Sequence, residues 1–255
     1  MNLWLGNSPR PLIVAHRGSS ANAPENTLDA FRQALTDRAD AIELDVQLSR
    51  DDRVVVFHDV RLSRTTDGRG RLRDRTFREL RLLNAGSWFL PAWRAQKIPS
   101  LEEVFELVNG KAGLNIEIKV DRRQKFSDTL VDKCCEMIRK FRAERYVLLT
   151  SFSVEVLRRI AEHRRGLVTG LLHYPLSHKS RSPVILAHEA GAKYLIVSGA
   201  ALSGRLVRRA CEEGLHLGEY TLNSSSRIRR ACRYNLDMII TDDPARARTS
   251  LYPRK

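Results

Sequence analysis

Short apolar runs recur along this chain at near-regular intervals, and most are separated by segments of helical periodicity. Leu12–Ala15, Ala41–Leu48, Leu114–Lys119, Val147–Ser151, Leu167–His173, Tyr194–Val197, Leu215–Leu222 and Met238–Thr241 each read as a strand. Eight strands alternating with helices over 255 residues predict a (β/α)8 TIM barrel. The punctuation agrees. Pro24 suits the first turn of a helix running to about Asp40. Ser100-Leu101-Glu102-Glu103 has the spacing of a capping box, and Gly166, Gly191 and Gly214 sit where helices should stop.

One interval breaks the rhythm. After the second strand and an Asp51-Asp52 turn, Arg53–His58 reads as a short extra strand. The stretch that follows holds a Thr66-Asp67-Gly68-Arg69-Gly70 turn, a short helix near Phe77–Leu83 and the aromatics Trp88, Phe89 and Trp93. Residues from about 60 to 98 therefore form a small insertion after strand two, within a single domain spanning 1–255. Loops after strands build the working face of such barrels, so the insertion is expected over the mouth. Trp88 and Trp93 are expected to pack it onto the barrel. Arg246–Lys255 reads as a basic, weakly ordered tail.

Composition narrows the class. Hydrophobic content of 42% and charged content of 29% suit a globular protein. No run approaches the roughly 18 apolar residues of a membrane span. Met1–Arg10 lacks the basic-then-apolar order of a secretory signal. Cys134, Cys135, Cys211 and Cys232 show no metal-type pairing and read as reduced thiols, so a cytoplasmic location is expected. The net charge of +14 is spread over doublets such as Arg158-Arg159, Arg164-Arg165, Arg208-Arg209 and Arg229-Arg230, without a nucleic-acid reading motif. A solvated basic surface with a mild attraction for anions follows; a specific nucleic-acid partner does not.

The chemistry gathers at three strand ends. His16-Arg17-Gly18 closes strand one, Glu43 and Asp45 lie toward the end of strand two, and Glu117 and Lys119 end strand three. A strand has a side-chain period of two, so Glu43 and Asp45 share one face while Ile42, Leu44 and Val46 share the other. Two acids on one face repel each other unless solvent or a cation separates them. Glu43, Asp45 and Glu117, with no cysteine or histidine cluster, describe a site for a hard cation, Mg²⁺ or Ca²⁺. Arginine can grip phosphate oxygens, and His16 and His58 can move protons. Together these groups are suited to splitting a phosphate ester.

Several segments together resemble the glycerophosphodiester phosphodiesterase family, within the barrel phosphodiesterases that include the phosphatidylinositol-specific phospholipases C. They are Ala15-His16-Arg17-Gly18, Pro24-Glu25-Asn26-Thr27, Glu43-Leu44-Asp45-Val46, Val56-Phe57-His58-Asp59, Leu62-Ser63-Arg64-Thr65-Thr66-Asp67-Gly68, Ile98-Pro99-Ser100-Leu101-Glu102-Glu103, Asn115-Ile116-Glu117-Ile118-Lys119 and Ile240-Thr241-Asp242-Asp243-Pro244. The resemblance implies a divalent-cation enzyme that cleaves small glycerophosphodiesters to glycerol 3-phosphate and an alcohol. It implies Glu43, Asp45 and Glu117 as cation ligands, His16 and His58 as the acid–base pair, and Arg17 and Lys119 as phosphate contacts. Many relatives carry tryptophan where this chain has Tyr220 before Thr221-Leu222-Asn223; Tyr220 still offers an aromatic wall to the substrate. The attacking oxygen, water or the neighbouring glycerol hydroxyl, stays open, as does the division of acid and base between the histidines. Alternatives are a lysophospholipase-D-type enzyme, whose substrate keeps an acyl chain, and a non-catalytic phosphate-binding module. Oligomeric state is not legible.

Overall fold

The computed structural model describes residues 2–6, 11–120, 128–163, 166–176 and 181–252. The strands are β1 (Leu12–Ala15), β2 (Ala41–Leu48), β3 (Val54–Val56), β4 (Gly113–Ile118), β5 (Val147–Ser151), β6 (Val168–His173), β7 (Tyr194–Ser198), β8 (His216–Tyr220) and β9 (Met238–Thr241). The helices are α1 (Leu28–Thr36), α2 (Phe77–Leu82), α3 (Leu101–Val108), α4 (Asp128–Lys140), α5 (Val154–His163), α6 (Pro183–Glu189), α7 (Gly204–Glu212), α8 (Ser225–Arg233) and α9 (Pro244–Leu251). The strand order β1-β9-β8-β7-β6-β5-β4-β2 closes on itself through β1–β2, every one of these pairs parallel. The chain is a (β/α)8 barrel, as its periodicity predicts. Among the described strands β3 alone stands outside the ring, antiparallel to β2 with Val46 opposite Val56.

Strand alternation divides the core in two. Ile13, Ile42, Leu44, Val46, Leu114 and Ile116 point outward and join helix residues such as Phe31, Val104, Cys134 and Leu157 in one large apolar cluster. Their sequence neighbours Val14 and Ala41, with Leu148, Tyr194, Ile196, Met238 and Ile240, form a second cluster within the barrel. Trp4, on a single 3-10 turn at Leu3–Leu5, belongs to that inner cluster and is almost wholly buried. Its indole Nε1–H donates to the Tyr146 carbonyl at 2.9 Å, and the Tyr194 hydroxyl donates to the Trp4 carbonyl at 2.6 Å. The N-terminal segment thus plugs the end of the barrel where the strands begin, a role with no signature in the sequence pattern. The interior is apolar at that end and charged at the other.

Two local expectations are corrected. The helix expected from Pro24 to about Asp40 spans only Leu28–Thr36, because the Thr27 hydroxyl accepts from the Ala30 N–H and sets the start there. Pro24 lies upstream, its carbonyl bonded to the Thr27 hydroxyl at 2.7 Å, in a chain segment that crosses the mouth. The tail expected over Arg246–Lys255 is largely α9. Asp243 caps it through the Arg246 N–H at 2.9 Å, Pro244 opens it, and Ala247 is buried. Residues 253–255 and the Arg164-Arg165 doublet lie outside the described residues.

The segment between β3 and α3 holds three 3-10 turns and α2. Leu62, Leu72, Leu80, Ala85 and Ile98 bury against Val55 and Phe57 in a third, smaller apolar cluster. Capping boxes close both flanking helices, Thr76 with Glu79 on α2 and Ser100 with Glu103 on α3. Trp88 does not pack the insertion down as expected; it is 40% exposed, and Trp93 is half-buried. All four cysteines are free thiols, two buried on α4 and two exposed.

Candidate active site

Register places the acids together. Asp45 of β2 lies opposite Glu117 of β4, and Glu43 sits one inward position deeper. Carboxylate oxygens of Glu43, Asp45 and Glu117 all come within 4.8 Å of one another, and all three residues are buried. Burial and the neighbouring Asp45 charge raise the pKa of Glu43; burial likewise raises Glu117 against the pull of Lys119. Asp45 behaves oppositely. Burial works to raise it, but Lys119, Arg17 and His58 hold its carboxyl well below the usual range.

The donor set fits a hard cation. Three buried carboxylates converge, and burial first, with the Asp45 charge behind it, pushes Glu43 and Glu117 toward the neutral form unless a cation is there to share them. Asp45 Oδ1 is buried and accepts no hydrogen bond, although the Lys119 ammonium lies 3.1 Å away. Oxygen ligands of this kind suit Mg²⁺ or Ca²⁺ better than zinc.

Arg17 is the hinge of the cluster. It occupies a left-handed backbone conformation at φ 56°, which turns its N–H onto Glu43 Oε2 at 2.8 Å. Its guanidinium donates to Glu25 Oε1 at 2.7 Å and lies 3.3 Å from Asp45 Oδ2. Gly18 follows at φ +86°, so close to α1 that a Cβ would meet Ala30 at 2.7 Å. Asn26 also donates to Asp45 Oδ2, at 2.8 Å. Lys119, just past β4, pairs with Asp45 and with Glu117 Oε1 at 2.8 Å. Burial opposes its charge, but the two acids keep its ammonium protonated. Among these residues Arg17 and Lys119 therefore hold carboxylates, and any phosphate must share them.

Each histidine is oriented by an aspartate. His16 Nδ1 lies 2.6 Å from Asp242 Oδ1, and His58 Nδ1 lies 2.5 Å from Asp59 Oδ1. A carboxylate can only accept, so Nδ1–H donates and Nε2 is left for substrate. Asn223 fixes Asp242 through its other oxygen at 2.5 Å. Gln47 Nε2 donates to the carbonyls of Phe57, His58 and Asp59 at 2.8, 3.1 and 3.0 Å, which locks the loop carrying His58. Burial lowers the pKa of His16, but Asp242 and Glu43 outweigh it, and the net value is raised. For His58, burial together with Lys119 and Arg17 outweighs Asp45 and Asp59, and the net value is lowered.

Residues outside the expected set tie these parts together. Arg64, from the insertion, donates to Asp59 Oδ2 at 2.6 Å and to the Glu25 oxygens at 2.7 and 2.8 Å. One guanidinium thus grips both the acid that aims His58 and the acid that holds Arg17. Glu25, Asn26, Asp59, Arg64 and Asp242 all fall inside the quoted motifs; what the sequence lacked was their pairing. Tyr220 lies near enough to the cluster that the Glu117 charge adds to burial in pushing its phenol up. Its hydroxyl donates to the His173 carbonyl at 3.2 Å, and its ring meets Phe152 edge-on at 6.3 Å. A cleft of about 340 Å³ opens at the mouth, lined by His16, Arg17, Glu25, Asn223, Asp242 and Arg246 among others.

Residues 16–246 match the model of the glycerophosphoryl diester phosphodiesterase family. The chain is similar to the glycerophosphodiester phosphodiesterase of Caldanaerobacter subterraneus subsp. tengcongensis, 36% identical over 236 residues that cover 92% of this chain and 95% of that one. It is similar to the glycerophosphodiester phosphodiesterase of Bacillus altitudinis, 34% identical over 240 residues, 92% and 96% of the two chains. The structure of an Oleispira antarctica phosphodiesterase in complex with the product sn-glycerol-3-phosphate superposes with a TM-score of 0.85 at 26% identity, covering 95% of this chain and 97% of that one.

Proposed function

The chain belongs to the glycerophosphoryl diester phosphodiesterase family and is a phosphoric diester hydrolase, and on that premise we propose that Glu43, Asp45 and Glu117 bind a divalent cation while His16 and His58 exchange the protons of the reaction. The observation that carries this reading is the meeting of three buried carboxylates with two aspartate-oriented imidazoles at one end of the barrel.

A cation bound by the three acids supplies positive charge against the phosphate oxygens, where charge builds in the transition state. Arg17 and Lys119, which pair with the same acids, would add positive charge for the phosphate. His58, whose lowered pKa favours the neutral form, takes the proton of the attacking oxygen. His16, whose raised pKa favours the imidazolium, gives a proton to the departing alkoxide. With water as the attacking oxygen, one P–O bond forms and one breaks, giving glycerol 3-phosphate and the alcohol; with the neighbouring glycerol hydroxyl, the same exchange releases the alcohol and leaves a cyclic phosphodiester, which water then opens to glycerol phosphate. Tyr220 lines the wall that receives the alcohol.

The test is release of glycerol 3-phosphate from glycerophosphocholine, glycerophosphoethanolamine and glycerophosphoinositol, with and without chelator. Chelation should abolish turnover, and Mg²⁺ or Ca²⁺ should restore it. Glu43→Gln should lower kcat/KM by about 10³-fold, the scale of several kcal/mol of lost charge stabilisation, while leaving the fold intact. Full activity of a metal-free preparation sinks the cation assignment.

A further inference from the structure

Outside the site, one feature combines apolar exposure with unneutralised charge. Within residues 60–98 there are ten Lys and Arg residues against three acidic ones, a net charge of +7. The same segment exposes Leu82 (76%), Leu90 (54%) and Trp88 (40%). These are not stray side chains on a loose loop. The Ala85 N–H donates to the Gln96 carbonyl at 2.9 Å and closes the loop at its base. Gly86 packs so tightly beneath Trp93 that a Cβ would lie 2.1 Å from the Trp93 carbonyl oxygen. Lys97 Nζ donates to the Leu82 and Leu83 carbonyls at 3.0 and 3.1 Å, tying the end of α2 to the same base. The tied base thus holds Trp88, Leu90 and Leu82 exposed to water.

We propose that this loop seats the mouth of the barrel on an anionic lipid surface. Tryptophan and leucine beside arginine are the side chains of a membrane interface: rings and aliphatic groups enter the headgroup region while cations pair with lipid phosphates. Charge complementarity selects the surface. Arg78 and Arg94 are exposed and make no ion pair among the described residues, whereas Arg64, Arg73, Arg75 and Arg81 are each matched to an acid. Placement selects the orientation. Gln96 donates to Asp29 at the start of α1 at 2.6 Å, so the loop stands at the end of the barrel where Glu25 and Asn26 meet the site. A lipid plane on the loop therefore faces the mouth.

The chain carries its own probe. Trp88 and Trp93 lie in the loop, and the third tryptophan, Trp4, is 1% exposed and insensitive to what touches the loop. The full chain is mixed with vesicles of phosphatidylcholine alone or with about one third phosphatidylglycerol, and followed by co-sedimentation and tryptophan emission. Anionic vesicles should bind the protein and shift its emission to the blue; neutral vesicles should do neither. Arg78→Glu with Arg94→Glu should weaken binding at least about 10-fold, since each basic residue near an anionic surface is worth about fivefold. Leu82→Ser with Leu90→Ser should abolish the blue shift, and thermal unfolding checks that both pairs fold. Turnover of soluble glycerophosphocholine should be unchanged in all, so docking and hydrolysis can fail separately. Equal binding to both vesicle types, binding without a blue shift, binding indifferent to the loop variants, or binding matched by duplex DNA at the same salt each overturns the proposal.

Discussion

Among the described residues the barrel carries histidine–aspartate pairs at both ends, two at the mouth and one at the opposite end, and only those at the mouth stand beside the carboxylate cluster. At the mouth, His16 Nδ1 lies 2.6 Å from Asp242; at the opposite end, His216 Nδ1 lies 2.8 Å from Asp237. The distances are nearly alike. The surroundings are not. Around His16 stand Arg17, Glu43 and the carboxylate cluster. His216 stacks on Tyr194 at 4.9 Å, and the other oxygen of Asp237 accepts the Leu217 N–H at 2.7 Å. A cleft of about 640 Å³ even opens beside His216, larger than the one at the mouth. Neither an oriented imidazole nor an empty volume makes a site. Converging charge does, and among the described residues the cluster able to hold a metal lies only at the mouth.

The comparison is most exposed to the two mouth histidines. His16→Ala and His58→Ala should each lower turnover roughly 10²-fold or more, the scale of a lost acid–base group. At saturating cation, kcat/KM should follow a bell in pH. A base must be neutral, so the rate rises with pH through the value of His58, which lies below the ordinary 6.5. An acid must be protonated, so the rate falls through the value of His16, which lies above 6.5. His58→Ala should erase the rising limb and His16→Ala the falling one. If the limbs are lost the other way round, the two roles are reversed.

Arg64 sharpens the comparison, because among the described residues no arginine ties the pair at the far end. Arg64→Gln should cost roughly 10-fold in kcat/KM, the lower range for an outer partner of a working group. The rising limb should also move to higher pH, since Asp59, released from the guanidinium, acts more strongly on His58. Arg64→Lys should recover part of the rate. An unmoved pH profile would reduce Arg64 to a strut between the insertion and the barrel.

The smallest expected change in activity is none. His216→Ala should leave kcat/KM as it is and lower stability by about 1–2 kcal/mol, through the lost hydrogen bond and the lost packing on Tyr194. Thermal unfolding beside kinetics reads both. A large loss of turnover with an intact fold would mean that the two ends are coupled and that the contrast drawn between them is wrong.

Much of this protein was legible in the chain because the signals are local. A strand repeats every two residues, so Glu43 and Asp45 had to share a face opposite Ile42 and Leu44, whatever they later met. Helix caps at Ser100 and Asp243 are written within four residues of one another. The eightfold alternation of such elements was enough for the barrel. What only the tertiary structure decided is who meets whom across the ring. His16 and Asp242 are 226 positions apart and become neighbours because β1 pairs with β9. Trp4 reaches Tyr194 across 190 positions to plug the barrel floor. Arg64 joins Glu25 and Asp59 because the segment after β3 comes to lie beside the connection between β1 and α1. Closure of a sheet sets these distances all at once, and no periodicity along the chain encodes a distance between its ends.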